Sequence, residues 1–429
     1  MARIVLNTFG SFGDLHPYLA IAVELSKRGH RAVIAASEIY RVKVQAEGVE
    51  FAPVRPDVGE LLNQPEFIAK LWDPNRGTEY LIRDYLMPHV EESYEDLRAA
   101  CQGADLLMTH FAAYAGATVG ELLKIRWLSV ALQPSIFLSV YDPPVLPPVW
   151  LRHVYRLGRP AVALMFRLGR RRVRSWAKPL LTLRRKLGLS IEAHPAFEGQ
   201  FSPFGTLGLF SPHFARPQPD WPQNITMCGF VFYDRRGEGF GGEQSRETEL
   251  TRFLDSGDPP VVFTLGSSAV MQPGSFFRES LAAAQKLGMR AVLLVGTNEV
   301  KGLPPASRGS VFIAEYAPFS KLMPRAAINV HQGGIGTTAQ ALRAGRPMIV
   351  VPWSHDQPDN AERLRRLGVS RTILRRRYRA ERVAREIEAL LQSGSARERA
   401  AELGRVIAAE AGLMNACDAI ERVLAGRGN

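Results

Sequence analysis

Residues 4–29 read IVLNTFGSFGDLHPYLAIAVELSKRG, and this stretch decides the fold class. Residues 4–6 form the short apolar run that is typical of a buried strand. A glycine-containing loop follows, and residues 16–29 then begin with a proline near the start and end on a glycine, as helices commonly do. A strand, a loop and a helix in this order predict the first unit of a parallel α/β sheet.

The same pattern recurs along the chain. Residues 31–36 and 105–108 read as further strands of a first sheet. The pattern restarts at residues 259–268 (PPVVFTLGSS), and strand-like runs follow, over residues 291–295, 327–330 and 348–351. A chain of 429 residues is long enough for two domains of about 200 residues each. We therefore predict an α/β protein with two doubly wound, Rossmann-like domains.

The domain boundaries are predicted from composition. A proline-rich stretch at residues 217–222 and a glycine-rich stretch at residues 235–242 have the composition of a linker or an exposed loop. We predict an N-terminal domain over residues 1–222 and a C-terminal domain over residues 223–411. A last helix over residues 412–429 is expected to cross back onto the N-terminal domain.

Composition excludes several classes of protein. No run of 18 apolar residues could span a bilayer, and nothing at the start of the chain reads as an export signal, so we expect a cytoplasmic protein. The three cysteines, Cys101, Cys228 and Cys417, are too few and too far apart for a disulfide framework or a zinc site. We expect them to be packing residues.

The formal net charge of +12 is concentrated in one place. Residues 151–190 contain twelve Lys and Arg residues and no Asp or Glu. Residues 148–187, called the basic segment below, interleave these cations with Trp and aliphatic residues. Such a segment is typical of a helix at an anionic membrane surface, and it is equally compatible with a solvated helix whose Arg stems cover a binding site. Nucleic acid is not expected to be a partner, because no nucleic-acid-binding module accompanies the charge.

The strongest functional signal lies in residues 315–360. His331 ends a strand, and Gly333, Gly334 and Gly336 lead into a helix whose first N–H groups can bind an anion such as a diphosphate. Taken alone, the same glycines are equally compatible with a plain tight turn.

These residues resemble the donor-binding signature of family 1 glycosyltransferases. That superfamily includes plant, sterol and antibiotic glycosyltransferases and the rhamnosyltransferase B chain of rhamnolipid synthesis. The stretches HDQPDNAERL (residues 355–364) and FARPQPDWPQ (residues 214–223) strengthen the resemblance. It implies a GT-B fold, in which two Rossmann-like domains face each other across a cleft. The N-terminal domain then binds the acceptor and the C-terminal domain binds the nucleotide sugar.

The resemblance also implies roles for single residues. Tyr316 stacks on the nucleobase and Ala317 offers backbone hydrogen bonds to it. Asp356 and Gln357 bind the sugar hydroxyls. The diphosphate is surrounded by Ser267, His331, Gly333, Gly334, Gly336 and Thr337, and Gly13 is also assigned to donor binding.

The chain departs from the plant enzymes at two positions. Ala339 replaces the Glu that binds both ribose hydroxyls, and Phe319 replaces a Gln. Loss of the ribose contact is compatible with a dTDP-sugar, but sterol glucosyltransferases lack that Glu and use UDP-glucose. The donor nucleotide, UDP or dTDP, therefore stays open.

Sugar transfer needs a base that takes the acceptor proton, and Asp14 is the candidate. It lies in the loop after the first strand, in the place of the plant catalytic His, as in antibiotic and sterol glycosyltransferases. The alternative is that Asp14 only caps the first helix. His16 is the second candidate, and His16 and His110 are predicted to line the acceptor site.

No metal is predicted, because the sequence has no D-x-D pair and no paired histidine motif. No cofactor is expected beyond the nucleotide sugar as co-substrate. The predicted function is inverting, metal-independent transfer of a hexosyl group from a UDP- or dTDP-sugar to a lipophilic hydroxyl acceptor. A UDP-sugar epimerase of the same fold and a non-catalytic accessory subunit are the alternatives.

Overall fold

The computed structural model describes residues 1–59, 61–233, 243–296 and 309–426. The chain divides into two compact units, which are unit 1 (residues 1–233 and 411–429) and unit 2 (residues 234–410). The glycine-rich stretch at residues 235–242 lies outside the described residues.

Unit 1 is built on a parallel sheet with the strand order β3-β2-β1-β4-β5-β6-β7. Its strands are β1 (Arg3–Asn7), β2 (Arg31–Ala36), β3 (Glu50–Pro53), β4 (Leu106–His110), β5 (Arg126–Ala131), β6 (Thr206–Gly208) and β7 (Ile225–Met227). The helices that accompany them are α1 (Phe12–Lys27), α2 (Arg41–Ala46), α3 (Pro65–Leu71), α4 (Gly77–Glu79), α5 (Val90–Ala100), α6 (Gly116–Leu123), α7 (Arg159–Trp176) and α8 (Lys178–Lys186).

Unit 2 has a second parallel sheet, with the strand order β10-β9-β8-β11-β12-β13. Its strands are β8 (Val261–Thr264), β9 (Ala291–Leu294), β10 (Val311–Ala314), β11 (Ile328–His331), β12 (Met348–Val350) and β13 (Ser370–Thr372). Its helices are α9 (Glu243–Asp255), α10 (Phe276–Lys286), α11 (Phe319–Leu322), α12 (Ile335–Arg343), α13 (Gln357–Arg366), α14 (Ala380–Leu391) and α15 (Gly394–Ala408). The predicted class, two doubly wound parallel-sheet domains, is confirmed.

The chain returns to unit 1 through α16 (Gly412–Leu424). The Arg28 guanidinium bonds Asp418 at 2.6 Å and Glu421 at 2.8 Å, and Arg126 donates to the Val423 carbonyl at 2.7 Å. Gly412, at the start of α16, lies so close to the segment before it in unit 1 that an added Cβ would be 2.2 Å from the Phe230 carbonyl oxygen. Charge and close packing together hold the last helix against α1 and the start of β5.

Three details of the prediction differ from the structure. Helix α1 begins at Phe12 rather than near Pro17, because the Ser11 side chain caps its N-terminus and leaves Pro17 inside the helix. Residues 217–222 are not a free linker, since Trp221 is buried and its ring lies 4.2 Å from that of Phe137. The predicted boundary after Pro222 falls between β6 and β7, whose pairing keeps the chain in unit 1 up to Tyr233.

The three cysteines are buried and unpaired, which confirms them as packing residues. Within the described part of the chain, no helix is both long and apolar enough to cross a membrane.

Candidate active site

In each sheet, the predicted site residues lie near the point where the order of the strands along the sheet reverses. In unit 1 the chain moves from β1 outward to β3 and then returns to place β4 beside β1. Unit 2 repeats this arrangement with β8 and β11. Loops that leave two such neighbouring strands diverge, and the crevice between them is the usual ligand site of an open α/β sheet.

Asp14 stands in the first turn of α1, beside β1. The backbone N–H of Ser11 donates to Asp14 Oδ2 at 2.7 Å, and the Gly13 N–H donates to Ser11 Oγ at 3.2 Å. A Cβ on Gly10 would lie 2.2 Å from Asp14 Oδ2, so this close approach requires glycine. One carboxylate oxygen of Asp14 is therefore fixed as a helix cap.

The other carboxylate oxygen of Asp14 faces His110, the last residue of β4. The distance from Asp14 Oδ1 to His110 Nε2 is 3.6 Å. Burial raises the pKa of Asp14 to about 6 and lowers that of His110 to about 3. At neutral pH the carboxylate is ionised and the imidazole is neutral, so Asp14 Oδ1 can accept a proton.

The remaining predicted residues of unit 1 are engaged differently. The His16 ring packs between Phe12, at 5.4 Å, and Tyr233, at 5.0 Å. Asp14 and His16 are two residues apart in α1, so their side chains point about 200° apart around the helix axis. His16 therefore points away from the face of α1 that carries Asp14. Gly13 was predicted to bind the donor, and its backbone N–H donates to Ser11 Oγ.

A partly apolar cavity lies beside the end of β4. Its lining includes Thr109, His110, Phe111, Tyr114, Leu180 and Pro195. A neighbouring cavity reaches the end of β1 and shares Tyr114 with the first. Both cavities are therefore lined in part by residues at or after the carboxyl ends of β1 and β4.

In unit 2, the loops after β8 and β11 touch each other. Gly266 follows β8 with a φ of +64°, and a Cβ there would lie 2.3 Å from Gln332 Nε2. Gln332 also donates to Thr337 Oγ1 at 3.3 Å. Ser267, the next residue of the β8 loop, is exposed at the edge of the sheet.

The predicted anion site corresponds to the start of α12. Gly334 is its N-cap residue and supplies no side-chain cap. Gly333 has a φ of +90°, which lets the backbone turn sharply after His331. The Ile335 N–H donates to Asp356 Oδ2 at 3.2 Å, so a carboxylate already lies at this helix terminus.

The side chains of His331 and Gln357, both predicted to contact the donor, also make contacts within their own loops. The His331 ring is fully buried, its Nδ1 accepts from the Gly333 N–H at 3.1 Å, and its Nε2 lies 3.4 Å from Met348 Sδ. The side chain of Gln357 is buried and its Oε1 accepts from the Trp353 N–H at 2.8 Å. Both side chains hold their loops in place, and their direct contacts with the donor stay predictions.

The nucleobase residues follow the edge strand β10. Tyr316 is half-buried and Ala317 is buried. Asp356 is half-buried at the end of the β12 loop, and Asn360 Nδ2 donates to it at 2.6 Å. The predicted donor residues thus occupy four loops at one edge of the second sheet.

Sequence reasoning did not identify Gly10 and Gln332 as parts of the site. Gly10 makes room for the Asp14 carboxyl group, and Gln332 connects the β8 and β11 loops. The glycine four residues before Asp14 is a signal that could have been used, whereas nothing in the sequence pattern distinguishes Gln332.

No metal centre is found among the described residues, where no three His, Cys, Asp or Glu side chains are grouped to hold an ion.

Two family models match the chain. Residues 4–134 match the glycosyltransferase family 28 N-terminal domain. Residues 280–418 match the erythromycin biosynthesis protein CIII-like C-terminal domain. The matches fall in the two halves that carry the two sheets.

The chain also resembles characterised relatives. It is 33% identical to the O-mycaminosyltylonolide 6-deoxyallosyltransferase of Streptomyces fradiae, over 98% of this chain and 97% of that protein. It is 27% identical to the sterol 3-beta-glucosyltransferase of Leptosphaeria maculans over 85% of this chain, and the matched part spans only 25% of that longer protein.

Solved structures share the fold. A calicheamicin glycosyltransferase matches with a TM-score of 0.74 at 18% identity, over 99% of this chain and 98% of that one. A spinosyn rhamnosyltransferase complexed with thymidine diphosphate matches with a TM-score of 0.67 at 18% identity, over 98% of this chain and 100% of that one. These likenesses confirm the GT-B class, and the full-length relative together with the two family models identifies this chain as a glycosyltransferase with a family 28 N-terminal domain and an erythromycin CIII-like C-terminal domain.

Proposed function

We propose that the protein transfers a hexosyl group from a UDP- or dTDP-sugar to a hydroxyl group of a lipophilic acceptor, with inversion and without a metal ion. The observation that carries the proposal is the Asp14 carboxylate, which has one oxygen fixed by Ser11 and the other directed to the site edge of the sheet. Asp14 Oδ1 takes the acceptor's hydroxyl proton while the acceptor oxygen bonds to the anomeric carbon. The bond from that carbon to the diphosphate oxygen breaks, and the nucleoside diphosphate leaves.

The donor is assigned to unit 2. At the start of α12 the Ile335 N–H already donates to Asp356, and the other backbone N–H groups and the positive end of the helix dipole are proposed to stabilise the leaving diphosphate. A related fold has been solved with thymidine diphosphate, which supports dTDP as one of the two candidate nucleotides. Asp356, which is half-buried beside this helix terminus, is proposed to bind the sugar hydroxyls.

The acceptor is assigned to unit 1. The cavities beside β1 and β4 combine apolar walls with a few polar groups, as small-molecule sites do. The named relatives are a transferase of O-mycaminosyltylonolide and a sterol glucosyltransferase, and sterols are lipophilic. We therefore propose a lipophilic natural product, sterol or lipid alcohol as the acceptor.

The basic segment is proposed to lie at the inner membrane surface. It forms a 3-10 helix (Val149–Leu157) followed by α7 and α8. Large apolar side chains on it are exposed, namely those of Trp150, Leu157, Leu164 and Leu168. Arg167 and Arg171 are exposed beside the two leucines of α7 and have no ion-pair partner among the described residues. Apolar and cationic groups on one face fit an anionic bilayer.

Part of the charge in this segment is neutralised within unit 1. Arg172 pairs with Glu79 at 3.2 Å, Arg184 pairs with Glu121 at 2.7 Å, and Arg170 pairs with Glu198. The membrane test therefore uses R167E/R171E, and the control R376E/R377E applies the same charge change to exposed residues of unit 2. We expect only the first variant to lose sedimentation with phosphatidylglycerol vesicles and to show a higher apparent KM for a lipid alcohol. Equal vesicle binding by both variants would contradict the membrane assignment.

The base assignment is tested with Asp14→Asn. UDP-glucose and dTDP-rhamnose are offered with sterol, fatty and phenolic alcohols, and product is followed by mass spectrometry. We expect turnover to fall by about two to four orders of magnitude while binding of the nucleotide is retained. The surface variant Asp258→Asn should keep full turnover, and a product with the donor's anomeric configuration would contradict inversion.

Metal independence is tested with a chelator. EDTA should leave the rate unchanged, because the leaving diphosphate is proposed to be stabilised by the helix terminus, His331 and hydroxyl groups without a metal ion. A tenfold loss that Mg²⁺ restores would contradict this part of the proposal.

A further inference from the structure

Asp14 and His110 come from different strands but are brought together by the sheet. Because Asn7 of β1 pairs with Thr109 of β4, the next residues of both strands lie at the same edge. The His110 side chain is buried, and its Nε2 lies 3.6 Å from Asp14 Oδ1. This is the carboxylate oxygen that the Ser11 cap does not use.

The position of the imidazole proton follows from a neighbouring backbone group. The Ala112 N–H donates to His110 Nδ1 at 3.3 Å, so Nδ1 acts as an acceptor. In a neutral imidazole the proton then belongs to Nε2. Nε2 has no hydrogen-bond partner within the described part of the chain, and it lies 3.6 Å from Asp14 Oδ1, so a small approach of the two atoms would form a hydrogen bond.

The ring is held in this orientation by its neighbours. The Tyr18 ring meets it edge-on at 6.1 Å, and the Phe111 ring lies 4.1 Å away. A ring fixed on both sides and bonded through Nδ1 has little freedom to turn Nε2 elsewhere.

We propose that His110 is a positioning residue, whose Nε2–H donates to Asp14 Oδ1 and holds that oxygen in place as it accepts the acceptor proton. The inference rests on the proposed role of Asp14 and adds a second residue to it. The proton of the acceptor hydroxyl moves to Asp14, and His110 keeps its own proton throughout. His110 therefore acts through Asp14 and is not a second base.

Few other charged groups face this pair. From α1 and the turn that precedes α2, Tyr18 and Tyr40 lie near Asp14, and burial raises the pKa of both phenols, so they stay neutral. Tyr114, on the cavity side, is likewise neutral because burial raises its pKa. Across the cavity, Glu121 is paired with Arg184. His16 lies on another face of α1. Asp14 is therefore the group expected to titrate near neutral pH.

The test compares two amide variants, H110Q and H110N, whose side chains differ only in length. The amide nitrogen of a glutamine at position 110 can approach the place of Nε2, whereas asparagine places its amide near Nδ1 and cannot reach Asp14. Both side chains are smaller than histidine, and circular dichroism and thermal unfolding check that both variants are folded. The readout is the pH profile of kcat/KM with a nucleotide sugar and an accepted alcohol.

In the parent enzyme, we expect the acidic limb of the profile near the Asp14 pKa of about 6. Loss of a donor to the carboxylate raises the pKa of that group, so H110N should move the limb upward by about one pH unit and lower kcat about tenfold or more. H110Q should keep the limb within a few tenths of a unit of the parent. KM for the nucleotide sugar should stay unchanged in both variants.

A control separates this role from simple packing. Tyr18→Phe removes a buried hydroxyl group beside the same ring and should leave the acidic limb where it is. If H110N and H110Q lose activity equally, or if H110N leaves the limb unmoved, His110 only packs and the inference is wrong. If Asp14→Asn keeps its turnover, the failure lies in the base assignment and not in His110.

Discussion

At the scale of the residue, the cap and the base that the sequence offered as alternatives for Asp14 are compatible with each other. The two carboxylate oxygens have different surroundings, since Oδ2 accepts from Ser11 and Oδ1 faces His110. The proposed base is therefore the oxygen that the cap does not use. The sequence could predict that Asp14 is a candidate base. It could not predict which partner each carboxylate oxygen has, because the position of His110 depends on the pairing of β1 with β4.

The raised pKa of Asp14 implies a cost in stability. Its folded pKa of about 6 lies above the ordinary pKa of 3.8 for an aspartate, so the folded state holds the proton more tightly. The carboxyl group therefore favours folding below about pH 4 relative to neutral pH, and this advantage is lost as the pH rises through about 6. Asp14→Asn keeps an oxygen for the Ser11 cap and removes the buried charge.

We expect Asp14→Asn to raise the free energy of unfolding at pH 8 by about 1–3 kcal/mol and to give no gain at pH 4. Urea unfolding at the two pH values measures this difference. An equal effect at both values would show that the charge of Asp14 is not the cause.

The geometry of His331 changes the test of its role. Because its Nδ1 accepts from the Gly333 N–H, the ring shapes the loop before α12. His331→Asn retains an acceptor near Nδ1, and His331→Leu does not. Calorimetry should show binding of dTDP and UDP about tenfold weaker for the Leu variant and within about threefold of the parent for the Asn variant. Equal losses in both variants would restore the predicted direct contact with phosphate.

At the scale of the element, hydrophobic pattern predicted seven of the thirteen described strands, because buried parallel strands are short apolar runs. The predicted strands are β1, β2, β4, β8, β9, β11 and β12. The start of α1 was predicted too late because the proline was taken as the helix start, whereas the Ser11 cap determines it. The Pro-rich stretch at residues 217–222 was taken as a linker because the burial of Trp221 against Phe137 depends on residues distant in sequence.

Helix α13, which follows the β12 loop, contains a buried ion pair. Arg363 and Asp359 are almost fully buried, and the distance between their charged groups is 2.7 Å. Arg363→Met should remove the guanidinium that bonds the buried Asp359 carboxylate and destabilise unit 2 by about 3–5 kcal/mol. The double variant D359L/R363M should recover most of that loss, and denaturant unfolding of the single and double variants tests this. A double variant as unstable as the single one would point to packing in place of charge.

At the scale of the whole molecule, α16 belongs to unit 1, although it follows unit 2 in sequence. Removing residues 411–429 takes away the partners of Arg28 and Arg126 and exposes the face of α1 that packs on α16. We expect calorimetry of the truncated chain to show a large loss of stability in unit 1, while nucleotide binding by unit 2 is retained. Loss of both together would mean that the two units unfold as one.

Because α16 belongs to unit 1 but follows unit 2 in sequence, unit 1 is completed last during synthesis on the ribosome. The first 233 residues of unit 1 emerge early, but their last helix is synthesised only after all of unit 2. During that interval α1 has an uncovered face and Arg28 lacks its two acidic partners from α16. Unit 2 is continuous in sequence and can fold in the meantime, whereas unit 1 waits for a segment made nearly two hundred residues later. A nascent chain stalled before residue 411 should therefore be the species that chaperones bind and that proteases cut within its first half.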